Sequence, residues 1–281
     1  GNVEGYFMPF FVSPIFPSPN SRLSFGPPGV TLTDVRPLER GGKFLSDWEL
    51  TYQMGGRVQQ SIGDADVSAH VISHIDRRTP QVVAFDSNAP PVAVFQPVIQ
   101  FGGTYQQVFG PYVAKLEAAY RRFYRPASGQ TELGPIPDRP NFGVIAAGAE
   151  RSLYHEDSTE TTLIVEAQSV FAVDGIGFFD RPEQIDLTLP LFQRDVLIGA
   201  RHARNDAAGQ EVLVTGIVNV ERPEQVILSA VYSRRIGETF GLKAGGRFIR
   251  VPPPDGATGP EVGFAALNND HQIYLILTRY F

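Results

Sequence analysis

The chain has 281 residues, no cysteine and a formal net charge of −6, which excludes disulfide stapling, Cys-ligated zinc and the electrostatic footprint of a nucleic-acid binder. Only 19% of the residues are charged, whereas 28 are Gly, 20 Phe and 10 Tyr, an aromatic and glycine-rich balance that suits β-structure. No apolar run reaches the roughly 18 residues of a transmembrane helix; a membrane barrel stays open, because alternation hides its apolar face from hydropathy scales.

Period-2 alternation predicts about twelve strands, at 2–11, 48–60, 66–78, 92–107, 112–124, 141–154, 159–173, 189–203, 210–220, 226–235, 238–250 and 270–281. Most exceed ordinary strand length and meet the roughly 9–11 residues that cross a bilayer at a tilt. In the second, Trp48, Leu50, Tyr52 and Met54 oppose Glu49, Thr51, Gln53, Arg57 and Gln59. In the fifth, Tyr112, Ala114, Leu116, Ala118 and Tyr120 oppose Val113, Lys115, Glu117 and Ala119. In the ninth, Val212, Val214, Gly216, Val218 and Val220 oppose Glu211, Leu213, Thr215, Ile217 and Asn219; in the eleventh, Phe240, Leu242, Ala244, Gly246 and Phe248 oppose Lys243 and Arg247. The last strand ends on Phe281, the commonest ending of a bacterial outer-membrane barrel, where the terminal residue is read by the barrel-assembly machinery.

The connections alternate in length. Long ones, rich in Pro, Gly and Asp, fall at 12–47, 79–91, 125–140, 174–188 and 251–269. Short ones centre on Gly63-Asp64, Phe109-Gly110, Glu156-Asp157, Asp206-Ala207 and Ile236-Gly237; only the junction at 221–225 is short where a long loop is due. Short inner turns alternating with long outer loops are the barrel pattern, so the expected fold is one transmembrane antiparallel β-barrel over 1–281, in the bacterial outer membrane, with both termini periplasmic and a long extracellular loop at about 12–47. Aromatics sort to both predicted rims, with Trp48, Phe95, Tyr124, Phe142, Phe171, Phe192 and Phe248 outside and Tyr112, Tyr154, Tyr232, Phe240 and Phe281 inside, as interfacial girdles require. Clean alternation also fits a soluble β-sandwich binding module, which is carried as a lesser reading.

The candidate functional residues are the charges opposite the apolar stripe: Glu49, Arg57, Lys115, Glu117, Arg121, Glu150, Glu166, Asp195, Arg201, Glu211, Lys243 and Arg247. Each would cost several kcal/mol against lipid near the midplane, so they are expected to line a watery lumen or to brace the wall by pairing across it. The mixed signs argue against strong ion selectivity. His70 and His74 look like paired metal ligands on a helix, but on a strand four residues separate them by roughly 13 Å, so a shared metal is excluded. His155-Glu156-Asp157 falls in a predicted inner turn, where polar residues are expected without catalysis, and Asn268-Asn269-Asp270 suits calcium ligation, although a turn before the last strand explains it as well. No nucleophile elbow, P-loop or zinc-protease motif is present, so no enzyme activity, metal or cofactor is expected.

Three segments carry a family resemblance: Val3-Glu4-Gly5-Tyr6-Phe7-Met8-Pro9-Phe10-Phe11 followed by Pro14, Pro17, Pro19 and Ser21-Arg22; Trp48 to Asp66 with its Gly56-Arg57 and Gly63-Asp64; and Lys115-Leu116-Glu117-Ala118-Ala119-Tyr120. Together, over residues 3–125, they resemble the porin-like outer-membrane barrels of Gram-negative bacteria whose genes often accompany lipid-exporter-type transporters. In that family the Glu-Gly-Tyr-Phe segment tends to follow earlier strands, so the resemblance admits this chain as the C-terminal part of a barrel of roughly 14–16 strands. It implies a channel that passes solutes or serves as outer portal of an export system, with outer-membrane lipid and a periplasmic or exporter partner. The alternative is a structural barrel that sheathes or anchors a partner complex such as a cytochrome conduit.

Overall fold

A computed structural model describes residues 1–14, 34–46, 48–77, 80–86, 91–126, 129–137, 139–172, 193–252 and 267–280. The described residues form strands and connections with no α-helix. The strands are β1 (Asn2–Phe10), β2 (Asp34–Pro37), β3 (Leu50–Ile62), β4 (Ala65–Ile75), β5 (Gln81–Val83), β6 (Val92–Phe95), β7 (Pro97–Phe109), β8 (Tyr112–Phe123), β9 (Gln130–Thr131), β10 (Gly134–Pro135), β11 (Phe142–Tyr154), β12 (Glu160–Ala172), β13 (Arg194–Ala203), β14 (Glu211–Asn219), β15 (Val226–Ile236), β16 (Phe240–Arg250) and β17 (Gln272–Arg279). Twelve of them build one large antiparallel sheet in the order β1-β3-β4-β7-β8-β11-β12-β13-β14-β15-β16-β17. Sequential neighbours pair throughout, as hairpin connections favour. The sheet is not closed: β1 and β17 are its two ends.

Each predicted strand has its counterpart, with one correction. The single strand expected at 92–107 is two, β6 and β7, separated by Gln96. Val92-Ala93-Val94-Phe95 is a continuous apolar run whose last three residues are buried, and it leaves the large sheet to join a small one. The turns are set by local chemistry. Gly63 (φ 61°) opens the two-residue turn between β3 and β4, and Gly110 (φ 59°) that between β7 and β8; the left-handed backbone there favours glycine and matches hairpin twist.

Contacts divide the chain into two compact units, one of Gly1–Tyr105, Glu117–Ile145 and Val170–Leu191, the other of Gln106–Leu116, Ala146–Ser169 and Phe192–Phe281. The first unit holds three apolar cores. One joins Leu38, Phe44, Val83, Val94 and Ile136, with Phe85 and Val92 against it. Those residues come from three different connections: β1 to β3, β4 to β7, and β8 to β11. A second core is Phe11, Leu45, Ile75 and Phe95 with Val35; a third is Val98, Phe123, Phe142 and Val170 with Val144. Here the expected loops carry short strands of their own: β2 pairs parallel with β6, β5 antiparallel with β6, and β9 with β10. These strands have only two to four residues, too few for a period-2 signal to mark them. Burial of each large apolar side chain is worth about 1.5–3 kcal/mol, enough to order connections that an alternation pattern leaves as loops.

Inside this loop core Arg139 meets Asp76 at 3.1 Å, with side chains only 1% and 3% exposed, and its guanidinium lies 3.9 Å from the Phe123 ring centroid. Gln96 donates to Gln81 at 2.6 Å. Gln53, also buried, donates to the Phe10 carbonyl and accepts from the Ile75 amide. Phe95 and Phe142, expected on an outer aromatic rim, are core residues instead. Phe192, Phe281, the 174–188 connection and most of 251–269 lie outside the described residues.

Among the described residues the second unit has no such core. Its strands β12 to β17 are a single layer whose register assigns every side chain to one of two faces. One face carries Leu163, Val165, Val196, Ile198, Val212, Val214, Leu228, Leu242, Phe248, Ile273, Leu275 and Leu277. It is uncovered: Ile198 is 64% exposed, Leu275 71% and Ile273 93%.

Candidate functional site

The opposite face of the second unit is polar. The register places Lys243 opposite Ser233 and Ser233 opposite Glu211; Arg247 opposite Ser229 and Ser229 opposite Thr215; and Arg201 opposite Thr162. Glu166 and Asp195 share this face, since Glu166 pairs with Leu197 and Asp195 with Gln168 on alternate rungs of the same ladder. Thus Glu166, Asp195, Arg201, Glu211, Lys243 and Arg247 all fall where alternation expected them. Within the same unit, Lys115 is bonded to Glu150, and Ser152 donates to Glu160 at 2.9 Å. These contacts place Lys115 and Glu150 on the polar face as well.

In the first unit, register again sorts the strands. Asn2, Glu4, Tyr6 and Met8 of β1 share a face with Gln53, Arg57 and Gln59 of β3 and with Ser68 and His70 of β4. Contacts extend this face to β7 and β8: Ser68 meets Thr104 at 2.7 Å, Gln100 donates to His70 Nε2 at 3.1 Å, and Arg121 Nε donates to Gln100 Oε1 at 2.8 Å. Glu117 lies on the same face as Arg121 by alternation along β8. The other face shows Val3, Phe7, Tyr52, Met54, Val58, Ile62 and Val71, all exposed.

Glu49 departs from its expected place. The chain turns at Trp48, whose φ of 65° ends the extended run, and β3 begins only at Leu50. Glu49 therefore sits in the connection, bonded to Lys43 at 2.6 Å and to the Ser46 amide at 2.9 Å. The Lys43 ammonium and the Ser46 amide hold its carboxyl below the usual carboxylate range.

Glycine and pairing shape the polar faces. A Cβ on Gly102 would stand 2.6 Å from the His70 ring, and one on Gly245 2.5 Å from the Tyr274 ring, so both glycines seat a neighbour's ring. Arg201 clasps the Glu211 carboxylate through two nitrogens, at 2.8 and 2.7 Å. Asp195 is buried, whereas Glu117, Lys243 and Arg247 are exposed.

Charge is distributed asymmetrically between the faces. Alternation puts Arg122, Arg151, Arg194, His202, Arg234, Arg250 and Arg279 on the apolar side of their strands. Every one lies within the last four residues of its strand end. The middle of the apolar face carries no charge among the described residues. Arg151 lies over the Tyr112 ring and Arg194 is bonded to Glu221.

The remaining motifs make local contacts. His155 Nε2 and His202 Nδ1 both meet the Thr161 hydroxyl, at 2.9 and 3.0 Å. Asp157 accepts from the Thr159 hydroxyl and amide, which hold its carboxyl below the usual range and close the turn. Asn268 accepts from the Val251 amide, and Asn269 takes a left-handed φ of 62° before β17. His74 Nδ1 meets the Ile75 carbonyl while His70 meets Gln100. No group of three or more His, Asp or Glu is arranged for a metal among the described residues. No family model matches the chain, and no match was found among curated proteins or solved structures.

Proposed function

We propose that this protein is an outer-membrane β-barrel channel, porin-like, which passes solutes or acts as the outer portal of an export system. The observation that carries the reading is the asymmetry of the sheet: an uncovered apolar face whose charges are confined to strand ends, backed by a polar face charged along its length. In water, an exposed apolar surface of this extent is an association liability; in a bilayer it is the lipid-facing wall. Terminal arginines then reach the interface on their long stems. The hairpin turns face the periplasm and the long connections the outside. An open edge is not tolerated in hydrocarbon, so the edges of β1 and β17 are paired in the membrane, with each other or with further strands.

The loop core of the first unit gives this channel a built entrance. On β7, β8, β11 and β12 the polar-face positions nearest the long connections are Val98, Phe123, Phe142 and Val170, all buried in one cluster. Apolar packing fills the polar face at this end of these four strands, so a small conductance is expected. The test is purified, heat-modifiable protein in a planar bilayer. Discrete current steps support the channel; a correctly folded, partner-free protein that never conducts supports the sheath-or-anchor reading; and protein found folded in the soluble fraction, without detergent, sinks both.

A further inference from the structure

A single row of donors crosses the polar face of the first unit. Arg57 on β3 stands directly opposite His70 on β4. His70 Nε2 accepts from the Gln100 side-chain amide at 3.1 Å, and Gln100 Oε1 accepts from Arg121 Nε at 2.8 Å. Four consecutive strands of the sheet, β3, β4, β7 and β8, each contribute one member. Gln100 uses both ends of its amide to hold its neighbours apart and oriented. Because His70 Nε2 accepts, the ring proton stands on Nδ1 as a further donor. Gly102 is part of the arrangement, since any side chain there would push the His70 ring away.

The row lacks carboxylates. Arg121 Nη1 is buried with no hydrogen-bond partner among the described residues. Neither Arg57 nor Arg121 has a carboxylate within ion-pair reach among them. Glu4, the register neighbour of Arg57, is bonded to the Asn2 amide at 2.9 Å and to the Tyr6 hydroxyl, which also meets the Arg57 side chain. Asp66 and Glu117 lie on the same face, but each is four residues along the strand from His70 or Arg121, roughly 13 Å away. Guanidinium forks without carboxylates are the arrangement that recognises planar or tetrahedral oxyanions.

We propose that Arg57, His70, Gln100 and Arg121 form an anion-binding step, and that the solutes carried are small anions bearing phosphate or carboxylate groups. This rests on the channel reading. It also revises the expectation from mixed signs: counting charges on one face treats them all as free, whereas Glu150 and Glu211 are paired with cations and these two arginines have no carboxylate partner among the described residues.

The experiment measures the zero-current potential across a potassium chloride gradient at low ionic strength, with inorganic phosphate then added as a blocker of the chloride current. Wild type is expected to prefer chloride over potassium. Each of Arg57→Gln and Arg121→Gln is expected to lower that preference about threefold, the factor that a unit charge about 6 Å from the ion's path gives in water. Block by phosphate is expected to weaken in both. Unchanged selectivity and unchanged block in the folded double variant would overturn the step while leaving the channel intact. Should the wild type fold but not conduct, phosphate titration of the detergent-folded protein decides: binding lost in the double variant upholds the step, and no binding by wild type overturns it.

Discussion

Val214 and Thr215 are adjacent on β14, at mid-strand, and point to opposite sides of the sheet. Val214 is 48% exposed on the apolar face; Thr215 stands between Gly199 and Ser229 on the polar one. Arginine at each site tests the proposed environment at nearly constant depth. Against lipid near the midplane, Val214→Arg costs about 2–4 kcal/mol. That lowers the folded-to-unfolded ratio by roughly 30- to 700-fold, because 1.4 kcal/mol is tenfold. Thr215→Arg, facing water, is expected to stay within about 0.5 kcal/mol of wild type. The assay is urea-dependent refolding into phosphatidylcholine vesicles, with the folded fraction read from heat-modifiable migration. If both variants match wild type, both faces see water and the membrane reading fails. If both are equally damaging, the face assignment is wrong.

Three further outcomes are expected. Asp76→Ala leaves the Arg139 guanidinium buried without its carboxylate, at a cost of about 3–5 kcal/mol; amide exchange at Leu38, Val83 and Val94 should accelerate by two orders of magnitude or more, Asp76→Leu with Arg139→Met should largely restore protection, and unchanged exchange in the single variant would refute the coupling. Cysteine at Leu133, between β9 and β10, should react with an impermeant maleimide on intact cells, and cysteine at Asp206, between β13 and β14, only after the outer membrane is broken; the reverse pattern inverts the topology. Glu49 titrates below the usual carboxylate range, so its bond to Lys43 contributes fully above the unfolded value of about 4.3 and is lost as pH falls through the depressed folded value. Fluorescence of Trp48, the single tryptophan, should report that acid transition, Glu49→Gln should abolish it, and a midpoint at or above the ordinary value would contradict the contact.

The long strands were legible because one face of each is largely apolar and the other largely polar, and alternation records that difference residue by residue. Lys243, Arg247, Glu211 and Arg201 were placed correctly on this ground alone. The same rule failed wherever both faces of a strand are buried. Val92-Ala93-Val94-Phe95 reads as the start of β7, and β2, β5, β9 and β10 are too short to alternate at all. Glu49 was misplaced by extending a correct parity across Trp48, where the backbone turns. Ion pairing stayed hidden for another reason: Lys115 and Glu150 are 35 residues apart, Asp76 and Arg139 63, and sequence spacing carries no register between non-adjacent segments. That is why the charges looked evenly mixed when some are occupied and others are not.

The shared core of the three connections inverts the usual guide to where foreign peptide can be inserted. In an ordinary loop, doubling the length costs only about 0.6 kcal/mol, so the longest connections are the natural sites for an epitope or a tag. Here Leu38, Val83 and Ile136 knit three of them into one packed body, and an insertion between Leu38 and Phe44 would separate two members of the same core. The short turn at Asp206-Ala207, exposed and outside every apolar cluster, is the better graft site despite its length. Among the described residues, the long connections that share this core are committed structure, and spare chain is found at a brief turn.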